Sequence, residues 1–164
     1  MTNLHEQAKW KAHWKIEKYE DESAYQESRA YEICELPGNM LLNEGITALL
    51  TLLIGGAGTA FNNANARLGV GDSSVAVAAT QTGLQAATNR AFRPMDATFP
   101  SVAGQTVTFR ATFGAGVAAY AWNEFTVVNG ADETAVNLCR RVDTTIGTKG
   151  STPIWVLNLA VTIS

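Results

Sequence analysis

Thr106-Val107-Thr108-Phe109-Arg110-Ala111-Thr112-Phe113 is the stretch on which the fold class turns, because its odd positions are all apolar and its even positions all polar. A period of two is what a half-buried β-strand imposes, since successive side chains leave the backbone on opposite faces. The same alternation returns near the end of the chain, where Trp155, Leu157, Leu159, Val161 and Ile163 share one side and Val156, Asn158, Ala160, Thr162 and Ser164 the other. Working outward, weaker strand patterns occupy 67–70, 89–95, 122–128 and 136–142. Between them lie turn signals such as Asn129-Gly130 and Gly147-Thr148-Lys149-Gly150. Short strands with this punctuation predict a mainly β protein, an antiparallel β-sandwich.

One helix interrupts the strands. Pro37-Gly38-Asn39 punctuates the chain, and Asn39 is placed to cap a helix over about 39–54 that ends at Gly55-Gly56. Leu42, Ile46, Leu49, Leu50 and Leu53 fall on one face of it, widened by Leu41, Leu52 and Ile54, and this spacing predicts a helix buried in the core. The apolar run 40–54 is shorter than the roughly 20 residues a membrane-spanning helix needs, and no membrane partner is expected. His5, Glu6 and Lys9 precede any apolar run, which is unlike a secretory signal.

Charge separates the first 36 residues from the rest. They hold eight acids and five bases of the chain's 15 and 12, leaving seven of each, and no net charge, on residues 37–164. A body with so little net charge is unusual for a free monomer and suits burial in an assembly. With a net charge of −3 overall, the chain lacks the basic footprint of phosphate neutralisation, so no nucleic-acid partner is expected. Residues 1–36 read as an N-terminal extended arm on a single domain, 37–164. Leu4, Ala8, Lys11 and Lys15 suit a short helix, while the alternation around Trp14, Ile16 and Lys18 suits a strand equally well. Trp10, Trp14, Tyr19, Tyr25 and Tyr31 are many large aromatics for a disordered segment. Fully extended, 36 residues reach up to about 120 Å, enough to cross a neighbouring subunit. These five aromatics are therefore the candidate partner-binding residues.

Sites for chemistry are sparse. The two histidines, His5 and His13, both lie in the arm, so a histidine-based triad or zinc site would require the arm to fold back. Cys34 and Cys139 have no short-range cysteine partner and read as reduced thiols. Gly55-Gly56-Ala57-Gly58-Thr59 lacks the Gly-Lys-Ser/Thr ending of a phosphate-binding loop, and Leu68-Gly69-Val70-Gly71-Asp72 reads as a strand and turn rather than a dinucleotide fingerprint. Among the seven carboxylates of the body, Glu124 stands out between Trp122 and Phe125. Burial there would suit an acid catalyst, but a salt bridge to Arg110 or Arg140 is the simpler expectation. Trp122 and Trp155 read as core or interface anchors before sugar platforms. The expectation is a protein that is not an enzyme, with no catalytic residues, cofactor or metal.

Several blocks taken in order carry a resemblance: Gly38-Asn39-Met40-Leu41-Leu42-Asn43-Glu44-Gly45-Ile46, Phe61 to Asp72, Ala79-Thr80-Gln81-Thr82-Gly83-Leu84-Gln85, Ala121-Trp122-Asn123-Glu124-Phe125, and Gly147-Thr148-Lys149 leading to Ile154-Trp155-Val156-Leu157. Together they resemble the virion structural proteins of tailed bacteriophages, either capsid decoration (cement) proteins or minor structural proteins. That resemblance implies a subunit located in the virion and made in the host cytoplasm. It would bind the major capsid protein and other copies of itself, as a trimer, and so stabilise the assembled lattice. The alternatives are a tail, baseplate or fibre-adaptor subunit, and a carbohydrate-binding β-sandwich using an exposed Trp122, Trp155 or Tyr120.

Overall fold

An alternating strand needs a second apolar face to bury against. The computed structural model, which describes residues 8–164, provides it as two antiparallel five-stranded sheets packed face to face, a β-sandwich. In chain order the elements are β1 (Trp10–Tyr19), α1 (Glu22–Gln26), β2 (Glu32–Pro37), β3 (Met40–Leu41), α2 (Asn43–Leu53), β4 (Arg67–Gly71), β5 (Arg90–Pro94), β6 (Ser101–Ala103), β7 (Thr106–Phe113), β8 (Glu124–Val128), β9 (Asn137–Val142) and β10 (Ile154–Ile163). One sheet runs β2-β1-β10-β7-β6 and the other β3-β9-β8-β4-β5.

Both alternating stretches form strands, and they are neighbours: β7 pairs with β10, with Phe113 opposite Trp155, Ala111 opposite Leu157 and Phe109 opposite Leu159 on the inner face. Across the sandwich, Trp14 meets Phe125 at 5.8 Å, and the Trp122 ring stands edge-on to Phe113 at 4.8 Å and to Trp155 at 4.9 Å. Edge-to-face pairs of this kind add about 0.5–1.5 kcal/mol each beyond the area they bury. The Trp122 indole N–H is satisfied by the Ala118 carbonyl, whereas that of Trp14 is buried without a partner.

The arm is the largest correction. Residues 10–19 form a ten-residue interior strand of the first sheet, hydrogen-bonded to β10 on one side and β2 on the other. Nothing among the described residues leaves the body to reach a neighbour, and the single domain includes this segment rather than starting at residue 37. The physical reason lies in the strand reading: Ala12, Trp14 and Ile16 all point inward and are buried, so the alternation is that of a core strand. The polar side chains of Lys11, His13, Lys15 and Glu17 fall on the opposite, outer face. Residues 20–31 cross over that outer face. There Tyr19, Ala24, Ile154 and Val156 make a second small cluster with Tyr25 and Ala30 packed against it. His5 and Leu4 lie outside the described residues.

The helix is corrected too. It begins three to four residues later than expected, because Met40 and Leu41 pair with Arg140 and Cys139 of β9 and Leu42, not Asn39, is its N-cap. Asn39 accepts a hydrogen bond from the Trp10 indole instead. Nor is α2 a core helix: its one buried residue is Gly45. A Cβ built there would lie 2.6 Å from the Leu138 Cα and closer still to the Leu138 carbonyl oxygen. Only glycine lets the helix backbone rest directly on β9, and this contact turns Ile46, Leu50 and Leu53 outward.

Candidate functional site

Every carboxylate of residues 37–164 is engaged within the chain. Glu44 accepts the Asn137 amide N–H, Asp72 the Asn89 side chain, Asp96 the Arg110 guanidinium together with Thr112, and Asp132 its own turn through Thr134. Glu133 pairs with Arg90, and Asp143 with Arg141. The deepest is Glu124, fully buried with Arg140. Its Oε2 receives Arg140 Nε at 2.8 Å and NH2 at 2.6 Å, while its carboxylate also accepts the backbone N–H groups of Gln85 and Ala86. Arg140 also donates from NH1 to Gln81 Oε1 and from NH2 to the Val75 carbonyl.

The pair therefore fastens the strandless loop 72–89 over the outer face of the second sheet. Gly71 makes room for it, since a Cβ there would collide with the Glu124 carboxylate, and Gly69 likewise leaves space for the Phe92 ring. The Gly69-Val70-Gly71 sequence is thus a close-packing device within β4. Sealed from solvent and neutralised by Arg140, Glu124 has no cleft in which to meet a substrate.

Buried cations follow the same pattern. Lys18 donates to Glu32 and to the Ile146 carbonyl and lies 4.7 Å from the centre of the Trp155 ring. Lys149 has a single acceptor, the Gly114 carbonyl at 2.8 Å, and burial pulls its pKa down to about 8. Both cysteines are free, and burial pushes the Cys139 thiol up to about 12. Among the described residues no cluster of three or more His, Cys, Asp or Glu side chains is arranged to hold a metal ion, and no helix is long and apolar enough to cross a membrane.

The five aromatics expected to anchor a partner are not brought together on a surface. Trp14 and Tyr19 are core residues; Trp10 and Tyr25 are half-buried. Tyr25 stands edge-on to Tyr19 at 5.3 Å. Only Tyr31 is largely exposed, and its hydroxyl accepts the Trp155 indole N–H. The aromatic sugar platform fares no better: Trp122 and Trp155 are buried, and Tyr120 uses its hydroxyl to bond the Val70 carbonyl.

What the surface does offer is one apolar end of the sandwich. Leu50, Leu53 and Ile54 of α2 and its C-cap are 58%, 80% and 83% exposed, and Val102 of β6 is 76% exposed. Beside them opens a groove of about 460 Å³, walled by Trp10, Leu49, Phe61, Val102, Phe109 and Ile163. A second cleft, about 790 Å³, runs along the other flank of α2. It is lined by Thr47, Thr51 and Asn129 with Glu44 and Asp132, whose carboxylates are already bonded.

The chain matches no protein-family model, no curated protein and no solved structure.

Sequence reasoning found the α2 residues of this apolar end but assigned them to the core, took Trp10 for a partner-binding residue of the arm, and passed over Val102. Gly45 is the signal that would have corrected it, because a lone glycine inside a helical pattern marks a close backbone approach.

Proposed function

We propose that this protein is a non-enzymatic structural subunit of a tailed-bacteriophage virion, a capsid decoration protein that binds and stabilises the assembled capsid lattice. The observation that carries the contact-making part of the reading is the exposed apolar end formed by α2 and β6. Leu50, Leu53 and Ile54 left in water, with Val102 on the wall of the adjoining groove, are costly to a monomer at about 25 cal/mol per Å² of apolar surface, and exposed apolar patches mark interaction surfaces. The engagement of all seven body carboxylates supports the same reading, since the charged groups act as fastenings of the fold.

The viral part rests on the resemblance of the sequence blocks. Those blocks contain Glu44, Gly45, Asp72, Gln81, Gln85 and Glu124, residues that join α2, the loop 72–89 and the second sheet.

Quantitative gel electrophoresis of purified virions tests it. A decoration protein is expected at a copy number rivalling the major capsid protein. A few copies per particle would assign the chain to the tail or baseplate, and its absence from virions would overturn the proposal.

A further inference from the structure

We infer that the apolar end is the seat of self-association, and that the occupant of the α2 face is the same face of a second copy of this chain. The inference rests on the structural-subunit reading and says where the subunit contacts itself.

The argument begins with helix geometry. At 100° per residue, Ile46, Leu50, Leu53 and Ile54 fall within one quadrant or so of α2 and its cap, and Leu49 lies next to Leu53 on the side toward the groove. Gly45, about 130° around the helix from the centre of that stripe, pins the flank beyond Leu49 to β9. The outward stripe and the groove wall are therefore neighbouring surfaces joined through Leu49.

Charge then selects the occupant. Residues 45–66, which include most of α2 and the loop after it, contain no Asp, Glu, Lys or Arg, and neither do residues 97–109, which include β6 and the start of β7. A partner offering a charged or strongly polar surface would have to strip water from its own groups without gaining a counter-charge. A second copy presents the same uncharged, aliphatic stripe. Symmetric contacts place a patch against itself, so like charges would normally oppose one another across the axis; here there are none to oppose. The other exposed apolar strip among the described residues, Tyr31 and Ile33 on and beside the edge strand β2, is unlike it: Glu32 and Glu35 flank Ile33, so two such edges brought together would repel.

Sedimentation velocity of the full chain over a range of micromolar concentrations, comparing wild type with Leu53→Glu and Leu50→Glu, tests the inference. Both side chains are exposed, so these variants are expected to keep the wild-type circular dichroism and thermal transition. The expected result is a dimer for wild type, with the dissociation constant raised at least about a hundredfold in either variant, and no change for Ile33→Glu. A monomeric wild type, or variants that associate as wild type does, would overturn the inference, as would dissociation by Ile33→Glu alone. The virion gel separates the two readings. A monomer that is abundant in virions removes self-association and leaves the decoration role, whereas an α2-dependent oligomer missing from virions does the reverse.

Discussion

Replacing Glu124 by Gln tests the fastening of the second sheet. The side chain keeps its shape and can still offer one oxygen to the Gln85 and Ala86 amides, but its NH2 group then faces the Arg140 guanidinium, donor against donor. Two charge-assisted hydrogen bonds, at 2.6 and 2.8 Å, are lost, and a fully buried cation is left without its counter-charge. Hydrogen bonds to charged groups contribute about 1.5–3 kcal/mol each, and breaking a buried ion pair from one side costs about 3–5 kcal/mol. A loss of about 4 kcal/mol is a large share of a total stability of roughly 5–15 kcal/mol, and for a domain of this size it lowers Tm by roughly 8–16 °C. Urea unfolding measures the loss, and amide hydrogen exchange locates it at Gln85 and Ala86. The double variant Glu124→Leu/Arg140→Met, which removes both charges, is expected to lose less than Glu124→Gln alone. A Glu124→Gln protein within about 1 kcal/mol of wild type would refute the view that this pair holds the loop.

Three further outcomes follow from the same structure. Lys149 has an ordinary pKa near 10.5 when unfolded and about 8 when folded, so between these values the unfolded chain binds more protons and stability rises with pH. Lys149→Met is expected to abolish that rise and to stabilise the protein at pH 7 by at most about 3 kcal/mol, measured as the difference between the two proteins' stability curves from pH 7 to 10.5. Gly45→Ala should displace α2 from β9 at a cost of about 1–3 kcal/mol, seen as faster proteolytic cleavage within 43–55. Deleting residues 1–36 should abolish cooperative unfolding in circular dichroism, because it removes β1 and nearly all of β2 and leaves one edge of β10 unpaired.

The strands were legible wherever one face is wet and the other dry. β7 has its expected limits, and β4, β5, β8, β9 and β10 lie within two residues of theirs. The first 36 residues misled because charge density outweighed periodicity. Lys11, Lys15 and Glu17 sit on the solvent face of a strand whose other face carries Trp14 and Ile16, and a strand between two partners can bear charges on one side without ceasing to be central. β3 and β6, at two and three residues, are too short for any period to register.

For the helix, apolar periodicity was present but its meaning was reversed, since Gly45 decides which side meets β9. The Glu124–Arg140 pair was one of two partnerships the sequence suggested, and composition alone offers no way to choose between Arg110 and Arg140. The fold chooses. Arg140 lies across from Thr126 on β9 beside β8, while Arg110 is on the other sheet, bonded to Asp96.

The placement of β1 bears on how the chain is made. Its main partner is β10, with Trp10 opposite Ile163, and the Lys9 and Ser164 backbones exchange hydrogen bonds. During translation at about 5–20 residues per second, the nascent β1 therefore waits roughly seven to thirty seconds, its backbone unpaired on that side, before β10 leaves the ribosome. For that interval it is a ready client for a holding chaperone.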